Sequence, residues 1–142
     1  MQRSDTRAAF GRQIVPFTSL PGQEIAPTFS PDGSQIAFGW NAEAGAGPRF
    51  DLYVKSLGSE RLLRLTHDPS NWINPAWSPD GSTIAFVRNK GAASGLFVIP
   101  ALGGSERRVV SAGVAVGSSR QISWSPDGRS LAYSGYGPSG AA

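Results

Sequence analysis

Cysteine is absent from the chain, which excludes disulfides, thiolate nucleophiles and cysteine-ligated metals and leaves the redox compartment open. Histidine occurs once, as His67, too few for the usual zinc ligand sets. There is no Gly-x-Ser-x-Gly elbow and no phosphate-binding loop, so nothing reads as a positioned nucleophile or nucleotide cradle. A run of about 18 apolar residues, the length that spans a bilayer, is missing too. Met1 to Gly11 is polar, with no apolar stretch behind its arginines, and so fails as a secretory leader. Charged residues make up only 16% of the chain; eleven Arg and two Lys face ten acids, for a net +3, and only Arg107 and Arg108 are adjacent. Charge so scattered describes a solvated surface and not a nucleic-acid footprint.

Turn formers are plentiful instead: 18 Gly and 11 Pro in 142 residues, of which 39% are hydrophobic and 10% aromatic. That composition is globular, and the length suits one domain with a real core. Glu24 to Trp40 laid over Trp72 to Arg88, an offset of 48, is identical at 10 of 17 positions. A third copy, Trp124-Ser-Pro-Asp-Gly-Arg-Ser-Leu-Ala-Tyr133, lies 47 further on and keeps six of the ten residues of Trp77 to Phe86. A period of this length belongs to propeller blades.

Each copy has a physical reading. Alternation in Ile25, Pro27, Phe29 and in Ile73, Pro75, Trp77 marks a strand entering a turn. In the turn, Pro31 presets φ, Asp32 suits the next position, and Gly33 can take the left-handed conformation that closes a three-residue hairpin; Pro79-Asp80-Gly81 and Pro126-Asp127-Gly128 repeat it. Ile36, Phe38 and Trp40 then share one strand face with Ala37 on the other, as Ile84 and Phe86 oppose Ala85, and Leu131 and Tyr133 oppose Ala132. Large opposite small suits blades stacked face to face. Asp51 to Lys55 and Gly95 to Ile99 read as third strands, and Leu62 to Thr66 and Arg108 to Ser111 as fourth strands. Four antiparallel strands per period is a blade.

Ile14-Val-Pro-Phe-Thr18 falls on Leu62 to Thr66 at the same offset and reads as a fourth strand without its first three. Pro16 suits such an edge position. The expected fold class is therefore all-β: a β-propeller fragment of four-stranded antiparallel blades, two full and two partial. Its parts are a flexible polar segment 1–11, an outer strand 13–18, blades 25–66 and 73–111, a partial blade 120–136 and a tail 137–142. A ring needs about four to eight blades, so the expectation is a piece of a longer protein or a ring built from copies.

The units Phe29 to Phe38, Trp77 to Phe86 and Trp124 to Tyr133 resemble the WD-like propeller repeats of the TolB type, and Ile14 to Tyr136 resembles the propeller region of bacterial multidomain regulators. In those relatives a winged-helix or serine/threonine kinase domain precedes the propeller. The resemblance implies a noncatalytic module that binds a protein, peptide or small ligand as the sensor or interaction portion of a larger protein. It also implies a periplasmic or other extracytoplasmic location. Two alternatives stay open: an accessory propeller of a prolyl oligopeptidase-like peptidase, and a self-assembling structural propeller. No cofactor, metal, direct nucleic-acid contact or membrane insertion is expected.

Asp32, Asp80 and Asp127 each stand alone in their turns, without the alternating oxygen ligands of a calcium loop, and read as structural. Phe29, Trp77 and Trp124 could mimic a stacking platform, but their identical repeat positions make them core residues. The connections after second and fourth strands are longer and less regular than the turns, and emerge together on one face. Binding residues collect on such loops, which nominates Glu43, Arg49, His67, Asn71, Trp72, Asn89 and Lys90 as partner contacts.

Overall fold

The computed structural model describes residues 14–42, 47, 49–111 and 122–135. Strands β1 (Glu24–Phe29), β2 (Gln35–Trp40), β3 (Asp51–Ser56) and β4 (Leu62–Arg64) form one antiparallel sheet in chain order. Strands β5 (Ile73–Trp77), β6 (Thr83–Arg88), β7 (Gly95–Pro100) and β8 (Arg107–Val110) form a second, and β9 (Ile122–Trp124) and β10 (Leu131–Tyr133) pair as a hairpin. Strand β1 lies against β5 and β5 against β9, so the first strands stand side by side at the inner edge of three stacked sheets. This is the open blade arrangement of a β-propeller.

The first-to-second turns are built locally. Gly33, Gly81 and Gly128 have φ of 72°, 73° and 70°, which costs a residue without Cβ little. In each turn the glycine N–H donates to the carbonyl of the serine three residues earlier, at 2.9 Å. The serine hydroxyl donates to the aspartate carboxylate at 2.6 Å in all three. That carboxylate also accepts the backbone N–H of Ser34, Ser82 or Arg129. These bonds favour the anion, led by the one from Ser30 or Ser78, and hold Asp32 and Asp80 at a pKa of about 2. Asp127 is lowered for the same reasons, with Ser125 first, although Arg129 offers no second hydroxyl. The turn aspartates are thus consumed by folding.

Large meets small between sheets, as the alternation implied. Ala37, Leu52 and Val54 of the first sheet pack against Ile84, Phe86, Phe97 and Ile99 of the second in one buried cluster. Ala85, Val87 and Leu96 then meet Ile122, Trp124 and Leu131 of the hairpin. At roughly 1.5–3 kcal/mol for each large side chain buried, these seams dominate cohesion. Gly39 permits the closest approach: a Cβ there would sit 2.5 Å from Ile73 Cγ2 and 2.8 Å from Ile25 Cγ1. The tryptophans add a repeating link, with Trp77 Nε1 donating to Thr28 O at 3.2 Å and Trp124 Nε1 to Ala76 O at 3.0 Å.

Two expectations change. Phe29 is not core like its repeat mates: it is 60% exposed while Trp77 is 8%. Trp77 packs against the first sheet, and no described sheet stands on the other side of Phe29. The described part of the expected outer strand, from Ile14 on, carries no strand, and Ile14 and Val15 are exposed. Phe17 and Leu20 nevertheless pack on Ile36, Phe38 and Tyr53. There Phe17 occupies, for the first sheet, the role of Leu65 against the second. Among the described residues no strand lies beside it to hydrogen-bond to, so it gains the packing without the ladder. The fourth strand of the first sheet is also shorter than expected, Leu62–Arg64, although Leu65 N still donates to Leu52 O at 2.8 Å. The segments 1–11 and 137–142 lie outside the described residues.

Candidate functional site

The two ends of the sheets differ in how they use their polar groups. At the short-turn end the Ser-Pro-Asp-Gly bonds absorb the aspartates. At the other end the second-to-third and fourth-to-first connections emerge together, and these hold the residues nominated from sequence. Glu43 lies outside the described residues.

Four of the nominated residues are brought together. The backbone N–H of Asn71 donates to Asn89 O at 2.9 Å, and that of Asn89 to Trp72 O at 3.2 Å, continuing the β5–β6 ladder past its last strand residues. Trp72 is half-buried and meets Phe50 edge to face, with centroids 6.3 Å apart. Ser70 Oγ donates to Trp72 O at 2.7 Å and fixes the loop behind it. Lys90, next to Asn89, pairs with Asp68. His67 is exposed beside Asp68. Arg49 stands apart from this group, on the wall of a cavity in the first sheet.

Residues that sequence reading did not nominate organise this end. Arg88 is 3% exposed, lies over the Phe97 ring at 4.6 Å, and donates to both Glu106 oxygens at 2.6 and 2.7 Å. It also faces Asp68 of the β4–β5 connection at 3.7 Å, so Asp68, Arg88 and Lys90 tie that loop to the second sheet through charge. The bond from Lys90 holds the Asp68 carboxyl below its ordinary pKa. In the first sheet, buried Asp51 accepts from Arg64 Nη2 at 2.7 Å and from Thr66 Oγ1 at 2.7 Å. One signal in the sequence pointed here: at the last position of the second strand the repeat breaks, Trp40 standing where the next copy has Arg88.

Two cavities open on these surfaces. One of about 310 Å³ is lined by Trp40, Asn41, Arg49, Asp51, Tyr53 and Arg64 at the long-loop end. Another of about 990 Å³ lies at the short-turn end between the second sheet and the hairpin, bounded by Asp80, Pro100, Trp124 and Asp127. The latter is walled by β7, the start of β8 and the β9–β10 turn. No group of three or more His, Cys, Asp or Glu side chains is placed to hold a metal among the described residues.

Comparison with known proteins agrees with this architecture. Residues 8–139 match the family model described as the TolB beta propeller domain. Among solved structures, TolB from Acinetobacter baumannii is similar with 26% identity and a TM-score of 0.60, over 82% of this chain and 27% of that one. An oligogalacturonate lyase solved in complex with manganese shares the fold at 16% identity, with a TM-score of 0.62, over 85% of this chain and 34% of its own. The chain thus spans about a quarter to a third of the length of these structures. No curated protein matches it.

Proposed function

The chain belongs to the TolB β-propeller domain family, and from that membership we propose that it is a noncatalytic binding module whose long-loop end contacts a protein or peptide partner in an extracytoplasmic compartment. The observation that carries the reading is the division of labour between the two ends. The repeated aspartates of the short turns are engaged in holding those turns. The long-loop end instead presents exposed Arg49, His67, Asn71 and Lys90 and half-buried Trp72. The backbone of Asn71, Trp72 and Lys90 is fixed by bonds within the β5–β6 ladder and its loops, so these side chains are offered from a rigid base, which limits the entropy lost on binding.

The role of each group follows from its chemistry. Trp72 offers an apolar ring edge, Asn71 and Asn89 supply amide donors and acceptors, His67 supplies an imidazole that can hydrogen-bond, and Lys90 supplies ammonium donors beyond its bond to Asp68. Tethering the partner to a rigid sheet is the chain's whole task in this reading; any chemistry belongs to another domain. The test is photo-crosslinking from a probe amino acid placed at His67 at the long-loop end or at Glu60 at the short-turn end, in the cells that express the protein. Adducts from position 67 that disappear on Trp72→Ala, with none from position 60, support the reading. Adducts from position 60 alone would refute it.

A further inference from the structure

The cavity of the first sheet is lined by residues whose counterparts in the second sheet differ in chemistry. Strand pairing makes Trp40, Asp51, Tyr53 and Arg64 equivalent to Arg88, Gly95, Phe97 and Arg108. In the second sheet both arginines turn onto protein partners. Arg88 stacks on Phe97 and is neutralised by Glu106. Arg108 lies against Gly95, where an added Cβ would be 2.9 Å from its Nε, and its Nη2 donates to the carbonyls of Ala92, Ser94 and Ser111. Both guanidinium groups there are drawn onto protein acceptors, although the buried Arg88 Nε has no hydrogen-bond partner among the described residues.

The first sheet arranges these positions differently. Asp51 takes the place of Gly95 and draws Arg64 outward: Nη2 binds Asp51 at 2.7 Å and Nε donates to Thr66 O at 3.0 Å. Both Asp51 oxygens are engaged, and Thr66 Oγ1 accepts the N–H of Leu52 at 2.9 Å, so the guanidinium is held from behind. Its remaining nitrogen, Nη1, makes no hydrogen bond among the described residues, and the side chain is 43% exposed. Tyr53 adds a hydroxyl at a position where the second sheet has only a phenyl ring. Trp40 stands edge to face with Tyr53 at 5.1 Å, and its N–H is held by Pro21 O at 2.8 Å. Arg49 contributes a second guanidinium with no acid paired to it among the described residues.

We propose that this cavity, between Trp40, Arg49, Tyr53 and Arg64, binds a carboxylate carried next to an apolar or aromatic group. The carboxylate accepts from Arg64 Nη1, from Arg49 and from the Tyr53 hydroxyl, while the apolar group lies on the Trp40 ring. Two guanidinium groups and a neutral donor fit a planar anion, and about 310 Å³ admits a group the size of one amino-acid residue. The proposal rests on the reading of the long-loop end as the binding end and names the chemistry it selects.

The experiment is a nitrogen-15 NMR titration of the whole chain at low salt, following the indole signals of its four tryptophans. The probes are N-acetylphenylalanine and its amide, and the capped tetrapeptide Ala-Asp-Phe-Ala and its Asn analogue. The expected result is a shift of the Trp40 indole with the acids and, for the neutral partners, binding at least tenfold weaker. The acid that binds more tightly identifies the source as a free carboxylate or an acidic peptide side chain. Arg49→Gln and Tyr53→Phe should each weaken binding several-fold without lowering the melting temperature, since Phe is the second sheet's own residue at that position. Equal binding of acids and neutral partners, or acid binding that ignores both substitutions, overturns the proposal. Shifts at Trp72 without any at Trp40 overturn it while leaving the binding end intact. No shift at either tryptophan counts against both.

Discussion

Replacing the repeat aromatic separately in each copy should give three different stabilities from three positions that look alike in sequence. Trp77 is 8% exposed and lies in the cluster joining the first two sheets. Trp77→Phe removes about 40 Å³ of side chain, and at about 24 cal/mol per Å³ of cavity costs about 1 kcal/mol. It also removes the indole bond to Thr28 O, worth about 1 kcal/mol. The sum is about 2 kcal/mol. Trp124 makes the same kind of bond to Ala76 O but is only half-buried, so Trp124→Phe should cost about 1 kcal/mol, mostly the lost bond. Phe29→Ala, at an exposed position without an indole, should stay within about 0.5 kcal/mol. Urea unfolding followed by circular dichroism measures all three against the parent chain, and unchanged m-values confirm that only stability has moved. Equal costs at the three positions, or a cost at Phe29 above that at Trp77, would refute this account of how the sheets cohere.

Gly39→Ala should destabilise by roughly 1–3 kcal/mol, because its Cβ would lie 2.5 Å from Ile73 Cγ2 between the sheets; thermal melting reads this directly. At the Arg88 network the two partners should behave unequally. Glu106→Ala leaves a guanidinium that is 3% exposed without its bidentate acid and should cost about 3 kcal/mol or more. Arg88→Met keeps the apolar contact with Phe97 and leaves a Glu106 that water can reach, so it should cost less in the same urea experiment. In acid, Asp32 and Asp80 titrate near pH 2 in the folded chain and near 3.9 when unfolded. The unfolded state therefore binds more protons between those values, and the stability the carboxylates supply above about pH 4 is lost as pH falls toward 2. Asp32→Asn with Asp80→Asn should flatten that slope in denaturation curves collected from pH 5 to 2, and an unchanged slope would contradict the assignment.

The turn unit was legible because everything it needs lies within five residues. Pro31 sets one dihedral, Gly33 permits another, and Ser30 and Ser34 are close enough to satisfy Asp32. The same locality explains why the strands after the turn and the large-against-small alternation could be read from spacing alone. Repetition at an offset of 48 then supplied the stacking order. What the residues could not disclose was which copies have a neighbour. Phe29 and Trp77 have the same local pattern and opposite exposure, because burial is a property of the surface laid against a residue. The loop contacts divide in the same way. A break in the repeat at Trp40 could be seen in the sequence, but not that Asp51, thirteen residues before Arg64, turns that arginine toward an open cavity. Nor could it be seen that Asp68, in the connection between the sheets, reaches Arg88. Local chemistry made the hairpins and counted the sheets; only their stacking decided which charges are satisfied and which remain available for a partner.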